Sequence, residues 1–178
     1  MLAAAAAVHT KGAGYLSGGA VIMTRLIITV GNDMMGDDGA GPLLARTLEQ
    51  SPLQGWQIIN GGSVPENYLH VVNELKPDVV VVVDAAEMGL EPGTIRLLSE
   101  KDIAGQFILT THNLPLSFFI GALKEIVPTV YFIGIQPRVV AFGFPLSTEV
   151  KRAVEIIYQK LQAGSLDFPA LEDNREIR

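Results

Sequence analysis

Runs of consecutive apolar residues alternate along the chain with segments in which apolar residues recur every three or four positions. The first pattern is typical of buried strands, and the second is typical of helices with one face on a core. Strands are predicted at 25–30, 56–60, 78–84, 93–98 and 129–135. Helices are predicted at 39–50, at 63–75, from 114 onward and at 147–162. This alternation predicts an α/β fold, a three-layer α/β/α sandwich around a mostly parallel, roughly five-stranded sheet.

Two details refine the predicted sheet and its helices. Five successive valines at 79–83 indicate a central parallel strand that is buried on both faces. The short strand 93–98 departs from the strand–helix alternation and is expected to be an antiparallel edge. Ser63 and Glu66 have the spacing of a capping box and are expected to start the second helix, which ends before Pro77.

The chain is expected to hold a single α/β domain, at 23–163, without a linker or repeat. Residues 1–22 combine a run of five consecutive alanines with a glycine-rich stretch and lack the basic start of a signal peptide. We expect them to be a disordered leader or the result of a misassigned start, with Met23 as the natural first residue. Residues 164–178 are mostly polar and are expected to form a flexible tail.

Composition excludes several classes of function. The formal net charge of the 178 residues is -6 and no basic run occurs, which argues against a nucleic-acid partner. No apolar run approaches the roughly 20 residues that span a bilayer, so no membrane insertion is expected. The absence of cysteine excludes disulfides, thiolate metal sites and a cysteine nucleophile, and it is compatible with a reducing compartment.

Candidate chemistry lies where the predicted strands end. Asp37 and Asp38 follow the first strand, Asp84 ends the valine strand, and His112 lies in a polar turn before a helix. Ligands of open parallel sheets bind beyond the carboxyl ends of the strands, so these groups could meet in one cleft. Two carboxylates and one imidazole could hold Zn, Ni, Mn or Fe, or could activate a water for hydrolysis.

Each of these residues also has a purely structural interpretation. Asp38 could cap the following helix, Asp84 could accept hydrogen bonds from loop amides, and His112 could be an ordinary turn residue. Nucleotide binding is disfavoured, because the glycines follow the order Gly36-x-x-Gly39-x-Gly41 and aspartates stand where a pyrophosphate would lie.

Five short motifs, taken together and in this order, resemble the hydrogenase maturation endopeptidases. They are Gly31–Gly39, Asn60–Ser63, Val83–Ala85, Thr110–Asn113 and Gly134–Pro137. The stretches 34–44 and 110–116 are most similar to the type that serves the formate-hydrogenlyase hydrogenase, hydrogenase 3. The likeness extends over roughly 24–162 and implies the phosphorylase/hydrolase-like sandwich of that family.

The resemblance implies an endopeptidase of the aspartic or metal-dependent type. Such an enzyme removes the C-terminal extension of a [NiFe] hydrogenase large-subunit precursor after nickel insertion. It would be a cytoplasmic monomer that contacts nickel held by the substrate, and the resemblance places the metal contacts at Asp38, Asp84 and His112. Asp38 or Asp84 would activate water, and Asp37 would be the structural member of the pair.

The glycines of these motifs are expected to let an extended substrate approach the site. They are Gly36, Gly39, Gly61 and Gly62. Met34 and Met35 are expected to pack in the core, with a lining of the substrate path as the alternative. Two other functions remain open at this point, a non-enzymatic nickel-binding chaperone and, less favoured, a nucleotide-binding α/β protein.

Overall fold

The computed structural model describes residues 23–105 and 116–171. These described residues contain five strands: β1 Arg25–Val30, β2 Trp56–Gly62, β3 Val79–Ala85, β4 Ile95–Leu97 and β5 Thr129–Ile135. The same ranges contain five α-helices: α1 Ala40–Gln50, α2 Leu69–Leu75, α3 Glu100–Gly105, α4 Leu116–Ile126 and α5 Thr148–Gln162. Short 3-10 helices, Gly36–Gly39 and Pro65–Tyr68, precede α1 and α2. The predicted leader, the turn that contains His112, and residues 172–178 lie outside the described residues.

The strands form one sheet in the order β2-β1-β3-β5-β4. Strands β2, β1, β3 and β5 are parallel, and β4 pairs antiparallel to β5 at the edge. The valine strand β3 is buried along its whole length between β1 and β5. The predicted central strand and the predicted antiparallel edge are therefore both confirmed.

Side chains alternate between the two faces of the sheet, and each face carries its own core. Leu26, Ile28, Val80 and Val82 point to the face that is covered by α2, α3 and α4. Ile27, Val81 and Val83 point to the opposite face, which is covered by α1 and α5. This arrangement is the predicted three-layer α/β/α sandwich. In the described ranges, no helix is both long and apolar enough to cross a membrane.

The start of the second helix differs from the capping-box prediction. Strand β2 continues through Gly62, and Val64 rather than Ser63 occupies the N-cap position of the 3-10 helix Pro65–Tyr68. Proline fits the first position of a helix because it has no N–H to satisfy there. The regular α-helix begins only at Leu69. The capping position predicted from the Ser63–Glu66 spacing is therefore one residue too early, and the α-helix starts later than predicted.

The predicted flexible tail is packed against the domain as far as Leu171. Phe168 is buried in the core beside α5, and Ala170 forms a parallel bridge with Leu97 of β4. The Leu97 N–H donates to the Pro169 carbonyl at 2.9 Å, and the Leu171 N–H donates to the Leu97 carbonyl at 3.0 Å. This segment satisfies the outer edge of β4, which explains why it packs there.

Candidate active site

Asp38 and Asp84 lie at the carboxyl edge of two neighbouring parallel strands. Asp38 belongs to the 3-10 helix that follows β1, and Asp84 is the penultimate residue of β3. The last register pair between these strands joins Thr29 to Val83, so Asp84 lies one position further toward that edge. Asp38 is 3% exposed and Asp84 is 1% exposed. The predicted placement of both carboxylates at one edge is thus confirmed.

The third predicted ligand, His112, falls in the segment that the structure does not describe. Within 23–105 and 116–171, no group of three histidine, aspartate or glutamate side chains forms a metal cluster. The set Asp38, Asp84 and His112 therefore stays a prediction. Its two described members have the chemistry that the prediction needs, because they are carboxylates held nearly out of solvent at a strand edge.

Asp37 is fully buried, and its hydrogen bonds go to the chain itself. Its Oδ2 accepts from the backbone N–H of Arg138 at 2.8 Å and of Val139 at 3.2 Å. The Ser147 hydroxyl also donates to Oδ2, at 2.9 Å, and the Ser147 N–H donates to Oδ1 at 2.6 Å. The predicted structural role of Asp37 is therefore confirmed, since its carboxylate joins the turn before α1 to the loop before α5.

Neither aspartate occupies the N-cap position of a helix. The N-cap position of α1 is Gly39, which has no side chain. Ser147 is the N-cap of α5, and its Oγ accepts from the Val150 N–H at 3.4 Å. Asp37 is thus hydrogen-bonded to the residue that caps α5. Asp38 lies in the chain between Asp37 and the start of α1.

Two glycines of this turn are required by close contacts within the chain. A Cβ on Gly31 would lie 2.0 Å from the Asp38 carbonyl oxygen, and one on Gly41 would lie 2.0 Å from the Val30 carbonyl oxygen. Both distances are far below van der Waals contact, so only glycine allows β1, the turn and α1 to pack this tightly.

The four glycines that were predicted to admit substrate have different surroundings. A Cβ on Gly36 would lie 2.6 Å from the Val139 carbonyl, and one on Gly61 would lie 3.0 Å from the Thr29 carbonyl. At Gly39 the nearest atom would be 3.4 Å away, and at Gly62 nothing lies within 4 Å. The chain's own backbone explains glycine at 36 and 61, whereas Gly62 faces open space. Their role toward substrate stays a prediction.

Gln136 is a buried polar residue that was not identified as part of the site from the sequence. Its Oε1 accepts from the N–H groups of Met88 at 2.7 Å and Leu90 at 3.2 Å. Its Nε2 donates to Glu87 Oε1 at 2.9 Å and to the Pro137 carbonyl at 3.1 Å. Gln136 therefore fixes the loop that follows Asp84. The available signal was an amide side chain directly after a buried strand.

An exposed apolar loop next to the Asp38 turn was also not predicted from the sequence. Phe142 is 73% exposed, and Val140 and Phe144 are exposed beside it. Met34 is 55% exposed, which corrects the expectation that it packs in the core. In the sequence, this loop is detectable as an uninterrupted apolar run between β5 and α5 that belongs to no predicted strand or helix.

The charged residues that flank this region form ion pairs within the chain. Arg46 Nη1 lies 2.7 Å from Asp33 Oδ2, with both side chains about half exposed. Arg138 bonds to Glu149. A backbone hydrogen bond and the Arg138 guanidinium together hold the pKa of Glu149 below its ordinary value. Both carboxylates, Asp33 and Glu149, therefore already have a positively charged partner within the chain.

Comparison with known proteins identifies close relatives of the chain. A family model described as "Hydrogenase maturation protease" matches residues 42–163. The hydrogenase 3 maturation protease of Escherichia coli is 49% identical over 140 residues, which cover 79% of this chain and 90% of that protein. A putative hydrogenase maturation protease of Methanocaldococcus jannaschii is 30% identical over 135 residues, covering 71% of this chain and 79% of the relative.

Solved structures give the same result. The solution structure of the endopeptidase HycI from E. coli has a TM-score of 0.80 and 47% identity, and the match covers 86% of this chain and all of that one. The crystal structure of the [NiFe] hydrogenase maturation protease HycI from Thermococcus kodakarensis has a TM-score of 0.69 and 31% identity, with 79% and 91% covered.

Proposed function

The chain belongs to the hydrogenase maturation protease family, and from this premise we propose that it cleaves a [NiFe] hydrogenase large-subunit precursor. Family membership makes it a maturation endopeptidase, as the similarity to E. coli HycI indicates. The proposed reaction removes the C-terminal extension of the precursor once nickel has been inserted. Nickel is part of the substrate in this reaction.

One observation carries the proposed mechanism: two nearly fully buried carboxylates lie at the same edge of adjacent strands. Asp38 and Asp84 would contact the nickel of the precursor together with His112. Such a set fills only part of a coordination sphere and leaves positions for the ligands that the precursor supplies. A precursor without nickel would lack this contact and would be bound less well.

Cleavage itself is proposed to use one of the two carboxylates as a general base. Asp38 or Asp84 takes a proton from a water whose oxygen attacks the scissile carbonyl. The carbon–nitrogen bond then breaks, and the proton passes to the departing amine. Asp37 is unsuited to this role because four hydrogen bonds from the chain already engage its carboxylate.

The test uses a nickel-loaded precursor and mass spectrometry. Wild-type protein is expected to release the extension as a separate peptide and to leave the nickel-free precursor intact. Asp38→Asn and Asp84→Asn are both expected to slow processing, by at least about 100-fold for the residue that acts as the general base. His112→Ala is expected to slow the processing of the nickel-loaded precursor, so that it is cleaved no faster than the nickel-free precursor.

Asp33→Asn is the matched control, because it removes a half-exposed carboxylate from the same turn without affecting the buried pair. It should process the precursor at the wild-type rate. If the wild-type protein moved nickel without changing the mass of the precursor, the protein would be a nickel chaperone and the proposal would fail. Normal processing by Asp38→Asn and Asp84→Asn would refute the assigned site.

A further inference from the structure

Four exposed apolar side chains form a surface that the proposed chemistry does not use. We name Met34, Val140, Phe142 and Phe144 the apolar rim. All four are exposed, and Phe142 has the largest exposed fraction. Large apolar side chains that are exposed one at a time are ordinary, but a group of them on adjoining loops typically marks a binding surface.

The rim is built as one unit from two loops that are distant in sequence. The Gly143 N–H donates to the Met34 carbonyl at 2.8 Å. Gly36 packs against the second loop, since its missing Cβ would lie 3.3 Å from the Cβ of Phe144. Asp37 adds its hydrogen bonds to the backbone at both ends of that loop. The rim is thereby fixed to the turn that carries Asp38.

The charge pattern around the rim indicates what kind of partner it fits. The run 139–146 contains no ionisable side chain. The nearest charged groups on the two loops are paired within the chain, Asp33 with Arg46 and Arg138 with Glu149. A charged partner would gain little from ion pairs here and would lose hydration, whereas an uncharged apolar segment buries surface on both sides.

We propose that the apolar rim docks an uncharged, apolar stretch of the precursor polypeptide adjacent to the bond that is cut. This inference rests on the proposed function, which supplies a polypeptide substrate that must reach Asp38. Binding on the rim places the neighbouring peptide at the Gly36–Asp38 turn, because the two are joined by the contacts above. The apolar rim thus provides binding affinity, and Asp38 and Asp84 at the edge of the sheet provide the chemistry.

The experiment measures steady-state processing of a nickel-loaded large-subunit precursor that the wild-type protein cleaves. Phe142→Ser is expected to raise KM about 10-fold and to leave kcat unchanged, because it removes contact made equally before and during the reaction. Phe142→Leu keeps an apolar side chain and should restore most of the affinity. Ile156→Ser is the control, an exposed apolar side chain on the outer face of α5. It should leave both constants unchanged.

The results either support the docking role of the rim or overturn it. An unchanged KM for Phe142→Ser overturns the docking role while leaving the proposed function intact, and so does a loss of kcat at constant KM. Sedimentation velocity tests the other occupant, a second copy of the chain. If Phe142→Ser dissociates a dimer without altering KM, the rim is a dimer interface. A wild-type protein that cleaves no precursor removes the proposed function and this inference together.

Discussion

Replacing Asp37 should reveal how much of the site depends on one buried carboxylate. Asp37→Ala removes the acceptor for three backbone N–H groups and one hydroxyl. Asp37→Asn keeps the shape of the side chain. If its amide oxygen takes the Oδ2 position, three hydrogen bonds remain. Its NH₂ group then opposes the Ser147 N–H, which donates at 2.6 Å in the native structure. The two variants therefore remove different parts of the same anchor.

The magnitudes follow from the number of bonds lost. Hydrogen bonds to a charged group contribute about 1.5–3 kcal/mol each, but donors on the part-buried loop recover water when the partner is gone. We expect Asp37→Ala to lower the free energy of unfolding by about 4 kcal/mol and Asp37→Asn by about 2 kcal/mol. For a domain of this size, the alanine change corresponds to a fall in Tm of about 8–16 °C.

Urea denaturation followed by tryptophan fluorescence measures this difference. The single tryptophan, Trp56, lies at the start of β2 and reports on the sheet. The control is Asp33→Ala, whose exposed ion pair should contribute no more than about 1 kcal/mol. The reasoning is refuted if Asp37→Ala costs less than that control, or if the asparagine variant is as unstable as the alanine variant.

Four other substitutions, one of them a control, test neighbouring features. Gly41→Ala should destabilise the protein by about 3 kcal/mol or more, since its Cβ would meet the carbonyl at the end of β1 at 2.0 Å, and urea denaturation checks this. Gly62→Ala and Gly55→Ala should each cost about 1 kcal/mol for a positive φ, but only the former should raise the KM for precursor if substrate passes Gly62. Gln136→Glu removes the Nε2 donor to Glu87 and to the Pro137 carbonyl and places a second carboxylate beside Glu87. It should lower the free energy of unfolding by about 2 kcal/mol, as urea denaturation would show.

The sheet could be predicted from the sequence because its strands carry local signals. Strand β3 is buried on both faces, so five valines without alternation indicate its position directly. The inward faces of α4 and α5 carry a signal of the same local kind, since Phe119, Leu123, Val154 and Ile157 recur at helical spacing and are buried. These elements are specified by side chains within one or two turns of each other, and periodicity captures such information.

Contacts between distant segments could not be predicted in the same way. Asp37 is bonded to residues 101 and 110 positions away, and nothing near Asp37 in the sequence identifies those partners. The packing of Phe168 and Ala170 on β4 likewise depends on an edge strand that lies about 70 residues earlier. The sequence places both aspartates at a strand end, and the family resemblance favours Asp37 as the structural one, but only the fold shows that its partners are Arg138, Val139 and Ser147.

The hydrogen bonds of Asp37 position the turn that carries its neighbour, Asp38. The bonds of Asp37 fix the apolar loop and the N-cap of α5 to the turn before α1. Asp38, one residue later, is thereby held at the edge beside β3, where Gln136 fixes the loop after Asp84. Both carboxylates of the proposed site are thus supported by neighbouring polar anchors that span loops far apart in sequence. Preorganisation of this kind favours cleavage because little ordering remains to be done when the substrate binds. A variant that loses the hydrogen bonds of Asp37 or Gln136 should therefore process the precursor more slowly, even when both proposed catalytic carboxylates are intact.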